Sequence, residues 1–537
     1  MDSILSPESV LNLNVGILGH VDSGKTSLAK SLSVVAGTAA FDKNPQSQER
    51  GITIDLGFSA IVVDVPTKLS QETSKTKLQF TFVDCPGHAS LIRTVIGGSQ
   101  IIHMMLLVID ITKGMQTQTA ECLVIGEIMC KNMIVVLNKI DLLPIEKRNS
   151  SIEKMKKRMT LTLANTVFQN APIVAVSAMP TDGDSTGTTS FGLDALLQSM
   201  KDMASLPTKR QERPFVFAVD HCFNIRGLGT IMTGTVLQGK VCLRDEIQVP
   251  AISFSGKVKS MQMFHRPVES AEEGDRLGIC VPQLDSKQLE RGLVCHPDYI
   301  AFMWAAVLKV HRIKYFQSKI KSKDKFHISI GYETVMAIIT IFSAPSDMSF
   351  HLQADYESKE ELSDGDNYFM LLQFERPVLA LPESLAIGSR LEMDTNGNAC
   401  RLAFWGRIVH QIYDKAYEKT FLPQMKIYKM LERKGTVERV VNNDVLIAKN
   451  LIKKETNAQA FVGLSVVLSS GEHGMIDSTF GKSGKLNIRI PGGLKEETVM
   501  KYKKQGSKNE AESDQPTDVI LRFKRYIFDH QKKMVQV

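Results

Sequence analysis

The residues Gly19-His20-Val21-Asp22-Ser23-Gly24-Lys25-Thr26 fit the spacing GxxxxGK[ST], after an apolar run and at the start of a stretch with helical spacing. Glycines in that pattern let backbone N–H groups close around phosphate oxygens. The Lys25 ammonium reaches the terminal phosphates, and the Thr26 hydroxyl ligates Mg2+. Asp84-Cys85-Pro86-Gly87 follows the run FTFV; there Asp84 holds Mg2+ through water and the Gly87 amide senses a γ-phosphate. Asn138-Lys139-Ile140-Asp141 follows MIVVL, and its Asp141 carboxylate accepts both the N1–H and the 2-amino group of guanine, which adenine does not offer. Ser177-Ala178 follows PIVAV and presents a backbone N–H to the base O6. Each segment ends a strand-like run, where open α/β sheets bind ligands, so the set reads as a GTP/GDP site with Mg2+.

Other residues carry chemistry by position. Thr53, in Arg50-Gly51-Ile52-Thr53, either completes the Mg2+ shell when a γ-phosphate is present, as an order-to-disorder switch, or is an ordinary loop threonine. His88, directly after Gly87, is best placed to orient an attacking water. Val21 and Ile52 suit an apolar gate beside it, and either has an equally good structural reason to be apolar.

The elements that must position these groups follow from the patterning. From Asn12 to Leu206, the runs NVGILG, FTFVDCPG, MMLLVID, MIVVLNK and PIVAVSA alternate with helical spacing, as in GKTSLAKSLS and TAECLVIGEIMC. That order predicts a P-loop α/β domain over 1–206 with a mostly parallel sheet. Short Gly-broken strands then predict a β-barrel over 207–297 and a second over 298–413, the latter interrupted by a polar loop from Ser343 to Asp366. A third, basic β domain is expected over 414–537.

The 537 residues, with 43% hydrophobic and 23% charged content, exclude global disorder and a collagen-like or disulfide-stapled scaffold. The eight cysteines have no CxxC spacing and read as reduced core residues. The first twenty residues read as lacking a secretion signal, and the apolar run 101–111 is far short of the ~20 residues that span a bilayer. The net charge of +7 is concentrated: over 421–537, Lys and Arg outnumber Asp and Glu by 21 to 13. Clusters at Lys453-Lys454, Lys501 to Lys504, Lys524-Arg525 and Lys532-Lys533, interleaved with Tyr502, Phe523, Tyr526 and Phe528, suit phosphate contacts with stacking.

GHVDSGKT, RGITI, DCPGH, NKID and SAM in this order, followed by a barrel containing GTIMTGTV, resemble the translational GTPases of the elongation factor Tu class. More specific text, including FDKNPQSQERGITIDLGFS, DCPGHASLIRTVIGGSQII, VDHCFNIRGLGT, GDRLGIC and FKRYIFDHQKKMVQ, is similar to the eukaryotic selenocysteine-specific elongation factors along essentially the whole chain. Ser23 stands where elongation factor Tu has a histidine. In the selenocysteine factors an Asp-His pair and an arginine of the second domain build the aminoacyl pocket, and the matching residues are Asp220, His221 and Arg276. A selenol is more acidic than a thiol, whose pKa is ~8.5, so an always-charged Arg276 with a His221 donor suits its anion while Asp220 holds the imidazole. On the residues alone, an arginine bracing a barrel strand and an Asp-His turn are the simpler readings; the resemblance favours the pocket.

The resemblance implies a cytoplasmic, monomeric GTP-dependent carrier with no membrane association. It would bind selenocysteinyl-tRNA, deliver it to the ribosome at UGA codons and release it on ribosome-stimulated GTP hydrolysis. The basic fourth domain would face the selenocysteine-insertion RNA element, its binding protein, or both, and the lysine tract is compatible with nuclear entry. The rivals are another tRNA-carrying or initiation-type translational GTPase, or a non-translational regulatory GTPase subunit. Val65 to Gln79 and Ser343 to Asp366 depart from the family pattern in length.

Overall fold

The computed structural model describes residues 10–33, 35–36, 57–86, 96, 101–178, 191–206, 213–264, 266–344, 349–365, 367–392, 400–453, 457–480, 484–504, 517–529 and 534–536. Two compact units divide the chain: Met1–Ile339 with Leu362–Asp366 and Met370–Lys415, and Thr340–Glu361 with Asn367–Phe369 and Ala416–Val537. Among the described residues no helix is long and apolar enough to cross a membrane.

The first unit begins with a seven-stranded sheet whose central strand, Val10–Gly19, is buried along almost its whole length. It pairs in parallel with Lys77–Asp84 and Met104–Asp110, and Met104–Asp110 continues in parallel to Asn132–Asn138 and Ile173–Ala175. The mostly parallel expectation holds for these five strands. Gly57–Asp64, absent from the sequence reading, pairs antiparallel with Lys77–Asp84, so Val65 to Thr76 is a hairpin connection carrying the short helix Thr67–Ser70. Helices Lys25–Leu32, Thr117–Met129, Ile145–Leu163 and Leu193–Met203 cover the sheet, and a separate apolar cluster packs on each face.

A β-rich domain follows, in which Val216–Ile225, Gly229–Gln238, Arg276–Val281 and Ser260–Met263 are successive neighbours in an eight-stranded sheet around Phe217, Val219, Met232 and Ile279. Next, Lys325–Ile330, Leu385–Ser389, Leu402–Ile412, Phe302–Arg312, Tyr368–Leu379 and Glu333–Ser343 pair in that order and close, since Lys325–Ile330 also pairs with Glu333–Ser343. The sequence reading of an α/β domain followed by β-rich domains therefore stands, and this last sheet is a closed barrel. All eight cysteines are free.

The second unit contains another closed ring: Ile427–Val440, Val445–Lys449, Lys485–Arg489, His473–Phe480, Ser465–Leu468 and Asp518–Tyr526, the last pairing back onto the first. Within Ser343 to Asp366, expected as a loop, Tyr356–Lys359 is a strand that pairs in parallel with Ile427–Tyr428. Two details correct the charge reading. Phe523 is not a stacking platform: alternation points it inward with Leu521 and Val519, 2% exposed and edge-on to Phe461. Many of the cations carry acids, as in Lys524 on Asp355, Lys429 on Glu360, Lys485 on Glu438, Arg522 on Glu432 and Arg489 on Asp477.

Polar contacts tie the nucleotide domain to both β domains of the first unit. Arg401 donates from Nε and Nη2 to Glu121 on helix Thr117–Met129 at 2.9 and 2.6 Å, with both residues buried. Asn12 Nδ2 and Asn14 Nδ2 both donate to Gly274 O, at 2.6 and 3.2 Å, and His103 Nδ1 beside them accepts from the Asn14 N–H at 3.0 Å. Removing one partner of a buried ion pair strands the other charge. Arg401→Met should thus lose about 3–5 kcal/mol of stability in denaturant titration, and the double variant Glu121→Leu/Arg401→Met should recover most of it.

Burial pushes the His103 pKa down to about 4 from its ordinary 6.5. The folded state therefore favours neutral imidazole, so its contribution is complete above pH 6.5 and is lost as pH falls towards 4. The melting temperature of the wild type should fall through that window more steeply than that of His103→Gln.

Candidate functional site

The strand Val10–Gly19 delivers the chain into the loop 19–24, and helix Lys25–Leu32 leaves it. Two glycines are required by packing. A Cβ on Gly19, φ 150°, would sit 2.3 Å from Val108 O, and one on Gly24, φ 88°, would sit 2.3 Å from Asn138 Nδ2. The buried Lys25 ammonium donates to His20 O at 2.7 Å; burial lowers its pKa against the opposing attraction of Asp84. Thr26 Oγ1 donates to Asp84 Oδ2 at 2.7 Å, which brings together the two described oxygen groups expected at the metal. A hydroxyl and a carboxylate are hard ligands, and the donor set fits Mg2+.

The base-recognition segments converge on the same loop. Asn138 Nδ2 donates to Ser23 O at 3.0 Å, and its Oδ1 accepts from the Ala178 N–H at 3.3 Å. Ser177 Oγ donates to Asp141 Oδ1 at 2.6 Å. Lys139, in a left-handed conformation at φ 65°, places its ammonium 2.9 Å from Asp110 Oδ2. Gly19, His20, Val21, Asp22, Ser23, Gly24, Lys25, Thr26, Asp84, Asn138, Lys139, Asp141, Ser177 and Ala178 thus occupy neighbouring ends of one sheet. Ile52, Thr53, Gly87 and His88 lie outside the described residues.

Sequence reasoning missed three supporting groups. Asp110 holds Lys139; burial alone would raise its pKa, but hydrogen bonds from Thr112 and the Lys139 charge outweigh that and keep it low. Its signal was an acid ending the strand MMLLVID. Gln118 Oε1 accepts from the Val21 N–H at 3.4 Å, and Ser31 Oγ donates to Ala178 O at 2.6 Å; neither has a local signature.

Asp220, His221 and Arg276 also come together. Asp220 lies in a strand, not a turn, at an irregularity between Val219 and His221 that breaks the pairing with Gly229–Gln238. Its carboxylate is 2% exposed and accepts from both terminal nitrogens of Arg276, Nη1 on Oδ2 and Nη2 on Oδ1. Thr233 Oγ1 donates to Oδ1 at 3.0 Å, and His221 Nδ1 lies 3.0 Å from the same oxygen. Burial would raise the Asp220 pKa; Arg276, then His221, outweigh it and hold the group ionised. The Arg276 guanidinium carbon sits 3.1 Å from the ring centroid of Phe58, a residue of the nucleotide sheet that sequence reasoning did not single out. Arg276 also lines a pocket of about 230 Å3, with Phe223, Thr233, Gln262, Phe264 and Cys280 among its walls.

The geometry agrees with what the chain is similar to. Residues 11–206 match the elongation factor Tu GTP binding domain, and 229–296 match elongation factor Tu domain 2. Residues 307–406 match the third domain of eukaryotic selenocysteine-specific elongation factors, and 423–532 the eEFSec C-terminal RIFT domain. A selenocysteine-specific elongation factor of Mus musculus is 48% identical, over 98% of this chain and 99% of that protein. One of Methanocaldococcus jannaschii is 31% identical, over 88% and 93%. The crystal structure of elongation factor SelB from Methanococcus maripaludis with the GTP analogue GppNHp superposes with a TM-score of 0.70 at 27% identity, covering 96% of this chain and 99% of that one. Its apo form gives a TM-score of 0.66. With its GTP-binding domain of the elongation factor Tu type, the chain belongs to the family of selenocysteine-specific elongation factors.

Proposed function

We propose that this GTPase binds selenocysteinyl-tRNA in its GTP form, delivers it to the ribosome at UGA codons, and releases it when ribosome-stimulated hydrolysis follows. The observation that carries this reading is the Asp220–Arg276 pair on the wall of a pocket, stacked on a ring from the nucleotide sheet. A guanidinium has five N–H groups, so it retains donors after one from each terminal nitrogen goes to Asp220. Asp220 fixes the plane of the fork, and the fork meets a selenolate, which serine cannot supply at neutral pH. Asp220 accepts from the Nδ1–H of His221, which leaves Nε2 to donate only when the ring is the imidazolium.

In the nucleotide site, Lys25 and the loop amides take the phosphates, and Asn138, Asp141, Ser177 and Ala178 take the guanine. Thr26, with Asp84 through water and Thr53, would hold Mg2+, which neutralises phosphate charge when bound. His88 has the role of orienting the attacking water, and Val21 and Ile52 that of an apolar gate. Residues 1–206, 207–297, 298–413 and 414–537 serve as nucleotide, aminoacyl, bracing and RNA-directed domains. The last recognises the selenocysteine-insertion RNA or its binding protein through its excess of basic residues. We assign the factor to the cytoplasm as a monomer.

The test is binding of selenocysteinyl-tRNA and of seryl-tRNA with the same body, with GTP analogue and with GDP. Preference for the first, only in the GTP form, is expected, and Arg276→Ala should remove the preference while leaving GTP affinity intact. Equal affinity for both tRNAs in the wild type would overturn the pocket reading, and binding of neither would overturn the carrier. For the nucleotide half, Asp110→Asn should weaken GDP binding about tenfold by freeing Lys139, read by displacement of a fluorescent guanine nucleotide.

A further inference from the structure

We infer that Asn12 and Asn14, acting through the carbonyl of Gly274, are positioning residues for Arg276 and thereby help set the amino-acid preference of the pocket. The inference rests on the pocket reading proposed above. Asparagine is an unexpected residue on the buried face of a central strand, yet Asn12 and Asn14 are 6% and 1% exposed. Their hydrogen bonds explain them. Asn12 Oδ1 accepts from Thr81 Oγ1 at 2.7 Å and Gln79 Nε2 at 3.2 Å, while its Nδ2 donates to Gly274 O at 2.6 Å and to Asn14 Oδ1 at 3.2 Å. Asn14 Nδ2 donates to Ile101 O at 3.0 Å and to Gly274 O at 3.2 Å. Two amides of the nucleotide sheet thus grip a single carbonyl of the barrel.

That carbonyl stands two residues before Arg276, which opens the strand Arg276–Val281. Gly274 lies in the turn that feeds this strand, and two residues of chain reach at most ~7 Å, so fixing Gly274 confines the root of the arginine to a short arc. The second fixed point is on the same sheet. Strand pairing sets Asn14 level with Thr81 and Ala60, and Gly16 level with Val83 and Phe58. Phe58 is therefore one rung of side chains, ~6.6 Å, further along than Asn14 and two strands across the same sheet, and it is the ring on which the guanidinium rests, so the sheet holds the arginine near its root and at its tip. An apolar contact would attach the barrel without choosing its register, because dispersion is non-directional; a fully satisfied hydrogen-bond network admits one. Gly274, at φ 90°, also brings the turn close to the sheet, where a Cβ would lie 3.5 Å from the His103 ring.

A merely structural role would weaken both aminoacyl-tRNAs equally, whereas positioning changes their ratio. The test uses the full chain with Asn14→Leu, Asn12→Asp and Gly274→Ala. Affinities for selenocysteinyl- and seryl-tRNA of the same body are measured with GTP analogue, and GTP affinity is measured alongside. Each variant should lower the discrimination ratio about fivefold or more, with GTP affinity held within about twofold. An unchanged ratio, in a protein whose discrimination Arg276→Ala abolishes, would overturn the inference. If Arg276→Ala left discrimination unchanged, the pocket reading itself would fall. Should the two sheet variants not fold, Gly274→Ala decides by the same ratio, because it alters the barrel turn and leaves the sheet intact.

Discussion

The contact on which the rest of the first unit depends is the stack of Arg276 on Phe58, with Asp220 at the edge of the guanidinium. Withdrawing two charges from water is expensive, and their attraction offsets that only when geometry is good and the remaining lone pairs are used. Here the carboxylate receives two guanidinium N–H groups, the Thr233 hydroxyl and the His221 imidazole. A hydrophobic pair of the same size would hold a barrel to a sheet as firmly. What the ion pair adds is a directed fork beside a pocket, and on the function proposed here that fork is the selective element. Phe58 lies five residues after Thr53 in the chain, so the ring that supports the arginine is close in sequence to the residue proposed to complete the Mg2+ shell.

The nucleotide site shows the same economy. Each motif loop satisfies a polar group of another: Asn138 on Ser23, Ser177 on Asp141, Lys139 on Asp110, Ser31 on Ala178. Such cross-bonding holds loops from separate strands in one arrangement before a ligand arrives, which lowers the ordering entropy lost on binding. Helix Thr117–Met129 extends this arrangement to the third domain, because Gln118 contacts the phosphate loop while Glu121, one turn on, is held by Arg401.

Legibility in the sequence followed locality. The nucleotide motifs were readable because each carries its own chemistry within a few residues and ends a strand. Phe58 was not, since an aromatic in a β-like run has no mark distinguishing it from a core residue; its meaning comes from Arg276, more than two hundred positions away. Arg401 and Glu121 are separated by 280 residues and could not be paired by pattern. Asp110 was half visible as a strand-end acid. Asn12 and Asn14 gave a clear sign, a period-2 polar pair inside an apolar strand, whose cause lay in another domain. The misread residue, Phe523, shows the reverse: composition suggested stacking, while alternation in VILRFKRY already placed it with Val519 and Leu521 on the inward face.

The central claim is that the nucleotide sheet and the barrel select the amino acid jointly, through the ring and the arginine. A double-mutant cycle of Phe58→Leu and Arg276→Lys, read as affinity for selenocysteinyl-tRNA with GTP analogue, addresses that claim most directly. The account predicts non-additive losses with a coupling of about 1 kcal/mol or more. Strictly additive losses would mean that the two side chains act independently and would contradict it.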